Sequence, residues 1–183
     1  MDKDLLHKFT ALEGQRYKLL EFFDQWGAHQ LHFKPGSEQW SLLQVLDHIV
    51  KVDISITKYL QKYQSEISRE KLGFIAWWRA LFLKLFLLTP LRVKAPKVHG
   101  IQPEESVDVP SLVADWCESR SLLKDYLEVF PMDKLDNFIF KHPLSGKLNV
   151  VQTLMFVYYH TKHHEHQLKR ITSHSKFPGG TPQ

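Results

Sequence analysis

Leu154-Met155-Phe156-Val157-Tyr158-Tyr159-His160-Thr161-Lys162-His163-His164-Glu165-His166-Gln167-Leu168 is the stretch whose periodicity decides the fold. Leu154, Val157, Leu168 and Ile171 fall on one side of an α-helix. His160 and His164 fill the gap in that apolar stripe, three residues after Val157 and four before Leu168. The pattern predicts a helix that opens at the capping pair Asn149 and Gln152, runs to about Ser173, and aims both imidazoles inward.

Working outward, three more long helical patterns appear. The first runs from about Lys3 to Trp26, with Leu5, Phe9, Leu12, Leu19, Phe23 and Trp26 on one stripe. The second opens at Ser41, whose hydroxyl and Gln44 form a capping box, and continues through Leu42, Leu46, Ile49, Ile56, Leu60 and Tyr63. The third spans about Ser111 to Phe130, with Leu112, Trp116, Leu123 and Leu127 inward and Pro131 as its stop. Phe138-Ile139-Phe140 reads as a short extended piece and His142-Pro143-Leu144-Ser145-Gly146 as a turn, without a convincing strand set. Four helices at one period predict an all-α four-helix bundle.

Between the second and third helices lies Leu72 to Leu91, where Trp77, Trp78, Leu81, Phe82, Leu85 and Phe86 recur at helical spacing. Arg79 and Lys84 interrupt it and Pro90 ends it, so it does not read as a membrane span. An extra amphipathic helix covering the bundle or a homodimer partner is expected, with a helix on a membrane surface as the alternative. A connection with Pro90, Pro96, Pro103 and Pro110 follows.

The 183 residues suit one domain, 1–183, with a core over about 3–173 and a frayed tail over 174–183. An apolar fraction of 43% against 24% charged excludes a disordered chain. The net charge of +4 is spread without a run of basic residues, so no nucleic-acid partner is expected. Cys117 is the single cysteine, which rules out an internal disulfide. With no apolar signal-like start at Met1 to Lys8, a cytoplasmic location is expected.

Two inward histidines at i and i+4 can both reach one metal ion. The alternative is a pair of core histidines hydrogen-bonded to tyrosines or carbonyl groups. A third ligand would come from His7, His29, His32, His48, His99, His142 or His174. His48 is the best placed, about two turns inside the second helix among apolar neighbours. His29, His32, His99 and His142 sit in connections or beside Gly or Pro, where solvated histidines are usual. His163 is a candidate rim or supporting residue, Gln167 a candidate pocket contact, and His166 a solvated bystander. Glu165 does not complete a His-Glu-x-x-His motif, because Leu168 stands where the second histidine would be. No Gly-rich phosphate loop, Cys-x-x-Cys pair or Gly-x-Ser-x-Gly motif is present.

Two blocks carry a family resemblance. Phe33-Lys34-Pro35 followed by Trp40-Ser41 and His48, and His142-Pro143-Leu144-Ser145-Gly146 followed by His160-x-x-His163-His164-x-x-Gln167, are similar to the signatures of the DinB-like (DinB/YfiT) superfamily. The resemblance covers about Leu5 to Thr172 and departs most around Leu72 to Val109. It implies a metal-binding four-helix bundle whose triad is His48, His160 and His164. The ion would be divalent, zinc or nickel. The implied activity is a thiol-dependent S-transferase or related enzyme acting on a small molecule with a low-molecular-weight thiol such as mycothiol or bacillithiol. A metal-dependent hydrolase and a non-catalytic, metal-stabilised interaction protein are the alternatives.

Overall fold

A computed structural model of the chain describes residues 1–89 and 100–179. The long helices are α1 (Lys3–Asp24), α3 (Leu42–Lys62), α5 (Val109–Glu128) and α6 (Val150–Thr172). A four-residue helix, α2 (Ala28–Leu31), follows α1, and α4 (Phe74–Leu87) is the additional helix. The capping boxes at Ser41 and Asn149 are both formed. Each satisfies two backbone N–H groups that a helix start otherwise leaves open, which sets where α3 and α6 begin.

The helical stripes meet as their spacing requires. α3 packs along α5 and α6, α1 packs along α6, and α4 lies against α6. Leu12, Leu46, Trp116, Leu127 and Leu154 are all essentially inaccessible to solvent. Burying each such side chain contributes about 1.5–3 kcal/mol, so the stripes hold the bundle.

Three features differ from the sequence reading. The extended piece leads into a hairpin: β1 (Phe140–His142), which shares only Phe140 with it, pairs antiparallel with β2 (Gly146–Leu148) across the predicted turn. Strands of three residues are too short to show an alternation, which is why the sequence pattern missed them. Second, the tail expected to fray is packed as far as Gly179. Phe177 meets the rings of Trp26 and Phe33 edge-on at 5.2 and 5.4 Å, and Gln30 Nε2 donates to the Pro178 carbonyl at 3.0 Å. Third, α4 is apolar on its open side as well as on its packed side. Leu83 and Leu87 are buried, while Phe74, Trp77, Phe82 and Leu85 on its other side are exposed. Among the described residues no helix is long and apolar enough to cross a membrane. His99 and the connection's Pro90 and Pro96 lie outside the described residues.

Polar side chains are also buried. Asp53 of α3 pairs with Arg120 of α5, both almost fully enclosed, and Arg120 Nε lies 3.6 Å from Glu13 on α1. Burial pushes the Asp53 carboxyl above its ordinary range, and the adjacent guanidinium opposes that shift. Three helices are thereby joined through one guanidinium.

Candidate metal centre

α3 delivers His48 and α6 delivers His160 and His164 to one point. One ring nitrogen from each lies within 4.8 Å of the other two. The His160 and His164 rings are 4.6 Å apart between centroids, as one helical turn dictates, and His48 lies 5.2 and 4.9 Å from them. His48 and His164 are buried; His160 retains some exposure.

The hydrogen bonds around the triad set its tautomers. His48 Nδ1 lies 2.7 Å from the Ile101 carbonyl oxygen, which can only accept, so Nδ1 carries the proton and Nε2 is bare. Gln167 Oε1 lies 2.9 Å from His164 Nδ1 and accepts its proton in the tautomer that likewise leaves Nε2 bare. The Nε2 atoms of His164 and His160 face each other at 3.2 Å. Two lone pairs at that distance repel unless a proton or a cation stands between them.

An added proton is disfavoured, so the rings are neutral, and His160 presents a bare Nε2 in its Nδ1–H tautomer. Burial, then the neighbouring imidazoles, pushes His160 well below its ordinary range and His164 down to about 3. Burial also lowers His48, against the pull of the Ile101 carbonyl. Neutral imidazoles with converging lone pairs, each held by a hydrogen bond at the far nitrogen in two of three cases, are the donor set that suits a divalent ion.

Ile101 is brought to His48 by the segment that leads into α5. Asp47 Oδ2 accepts from the Glu104 backbone N–H at 2.8 Å and from Lys51 Nζ at 2.9 Å, and Lys51 reaches Glu104 at 2.7 Å. These contacts pin residues 101–105 onto the first turns of α3. Trp40 closes the other side, its ring 4.9 Å from His48 and stacked 6.3 Å from His164.

A cavity of about 380 Å³ opens beside the triad. Its walls are Val52, Ile56 and Tyr59 of α3, Leu83, Phe86 and Leu87 of α4, the β1 end and turn from Phe140 to Leu144, and Phe156 of α6. His163 lines it, stacked 6.5 Å from Phe86. Burial lowers His163, with the Leu87 and Thr89 carbonyls opposing. Gln167 touches His164 rather than the cavity.

Among the described residues, the remaining candidates for a third ligand do not reach the triad. His7, His29 and His32 are exposed, and His174 packs beside Phe33, 5.7 Å between rings. His142, expected to be solvated, is instead 7% exposed and lines the cavity. Its Nδ1 accepts the backbone N–H groups of Leu144 and Ser145 at 3.2 and 3.1 Å. Those bonds place its proton on Nε2. The signal in the sequence was the turn itself, in which a ring nitrogen can take the two amides that follow it.

Burial lowers His142 to about 4. The unfolded chain takes up this proton near pH 6.5 and the folded chain does not, so the stabilisation is complete above about 6.5 and is lost as the pH falls toward 4. A His142→Asn variant is expected to show a smaller loss of stability from about pH 7.5 to about pH 5, by about 2 kcal/mol. Urea titrations of metal-stripped protein at the two pH values check this; equal losses in both proteins would refute it.

The DinB superfamily profile matches residues 11–168, most of the chain. The chain belongs to the DinB superfamily. The chain is also similar to "Uncharacterized protein YuaE" of Bacillus subtilis (strain 168), 25% identical over 158 residues, covering 78% of this chain and 83% of YuaE. No solved structure matches the chain. For a DinB-superfamily chain the three-histidine cluster is compatible with divalent-metal binding.

Proposed function

We propose that this DinB-superfamily protein is a divalent-metal-dependent enzyme, a thiol-dependent S-transferase, with His48, His160 and His164 as ligands to zinc or nickel. The observation that carries this reading is the largely apolar cavity lined by all three histidines of the triad. A purely structural ion is usually enclosed by four protein ligands. Three neutral donors beside a cavity instead suit an ion with a position left for a reactant. Held there, a divalent ion would supply positive charge that lowers the pKa of a thiol or a water.

The protein's own groups divide the remaining work. Ile101 and Gln167 hold His48 and His164 in the tautomers that present Nε2. The walls from Val52, Leu83, Leu87 and Phe156 exclude water and accept an apolar electrophile. His142 offers a fixed Nε2–H donor on the cavity wall, suited to a developing negative charge on the leaving group. The described residues lining the cavity include no carboxylate. A thiol is intrinsically far more acidic than water and so needs less help from a protein base to ionise, and this favours thiol transfer over hydrolysis.

The test is turnover of an apolar halide electrophile with bacillithiol, mycothiol or cysteine, by metal-loaded protein and by His160→Ala. A rate well above background in the parent and at background in the variant is expected. Equal rates would refute the transferase reading.

A further inference from the structure

The outer face of α4 is unusual for a protein surface. Phe74, Trp77, Trp78, Phe82, Leu85 and Leu88 are all exposed, Phe74 to 72% and Phe82 to 66%. The aromatic rings form a continuous series: Phe74 on Trp77 at 6.2 Å, Trp77 on Trp78 at 5.1 Å, Trp78 on Phe82 at 6.2 Å. Large contiguous apolar patches are rare on soluble proteins and mark binding surfaces.

The stretch of sequence that carries the patch is basic. Between Glu70 and Glu104 the sequence holds no Asp or Glu and six basic residues: Lys71, Arg79, Lys84, Arg92, Lys94 and Lys97. That exceeds the net charge of +4 carried by the whole chain. At about 100° of turn per residue, Arg79 and Lys84 fall at the two edges of the exposed face, between it and the buried Leu83 and Leu87. Arg79 forms no ion pair among the described residues, and Lys84 rests over the Tyr159 ring at 5.0 Å.

We propose that the outer face of α4 docks on an anionic lipid surface, with its aromatic and leucine side chains in the acyl boundary and Arg79 and Lys84 at the headgroups. Basic residues bordering a Trp- and Phe-rich helix face is the arrangement of helices that lie in the membrane plane. A convex fan of rings needs no complementary pocket in a bilayer, whereas a protein partner would have to supply one. A second copy fits poorly: an isologous contact through α4 lays one basic-edged face on another, and α4 has no acid to pair Arg79 or Lys84.

The experiment is co-sedimentation of the full chain with vesicles of phosphatidylcholine alone and of phosphatidylcholine mixed with phosphatidylglycerol. Binding is expected to the mixed vesicles, weakened by salt, with a blue shift of tryptophan emission. Trp78→Ser and Phe82→Ser are each expected to lower it about tenfold. Arg79→Gln and Lys84→Gln are each expected to lower it about fivefold on the mixed vesicles. Trp78, Arg79 and Phe82 are exposed and Lys84 partly so, and an unchanged thermal melt is expected, which checks that the variants fold. No binding to the mixed vesicles, or binding indifferent to the four substitutions, overturns the proposal. So does sedimentation velocity showing a dimer that these substitutions dissociate while vesicles bind nothing.

Discussion

Zinc or nickel is expected to raise the melting temperature of metal-stripped protein, and His160→Ala to abolish that rise. A ligand that binds only the folded state stabilises it by about 2.7 kcal/mol when free ligand is about a hundredfold above its Kd. His160 is central to the expectation because its Nε2 faces that of His164 at 3.2 Å. Without it two donors remain, on different helices. His48→Ala and His164→Ala are expected to behave alike. Gln167→Ala keeps all three ligands and frees only the far nitrogen of His164, so about 10–100-fold weaker binding is expected. His32→Ala, exposed and remote, is the control. Thermal melts across a metal titration read the parent and all five variants. An undiminished rise in His160→Ala would remove that residue from the centre, and an undiminished rise in all three triad variants would place the metal elsewhere.

Arg120→Met is expected to cost about 3–5 kcal/mol, because it leaves the Asp53 carboxyl enclosed without its partner. The substitution also removes the link toward Glu13, so α1 loses a tie to α5. For a chain of this size the loss corresponds to a fall of about 10 °C in melting temperature. The pair itself is a weak source of net stability, since desolvating two charges offsets most of their attraction. Asp53→Asn combined with Arg120→Met is therefore expected to recover much of the loss. Urea unfolding of the parent, the single and the double variants measures both numbers. A cost below about 1 kcal/mol for Arg120→Met would mean that Asp53 is relieved by protonation alone.

The same pair shows what a stripe can and cannot say. Arg120 stands four residues after Trp116 and three before Leu123, inside the inward face of α5. That spacing puts it on the inward face, although the apolar pattern alone did not single it out. Its partner was not legible, because Asp53 lies 67 positions earlier and nothing local in either helix encodes their pairing. His142 shows the converse. Its neighbours Pro143 and Gly146 made a turn plain, and turns are usually solvated, but α4 and α6 close over this one.

The sequence by itself determined the four long helices, their caps at Ser41 and Asn149, and the inward aim of His160 and His164. Helical period, capping and i,i+4 geometry are local, and they act whatever the rest of the chain does. Only the tertiary structure decided that His48 stands within 4.8 Å of that pair, that Ile101 holds its tautomer, and that His142 faces a cavity instead of solvent. Those facts depend on how α3 and α6 cross and on how residues 101–105 are pinned by Asp47 and Lys51. They come from packing between segments far apart in the chain, for which a single sequence carries no periodic signal.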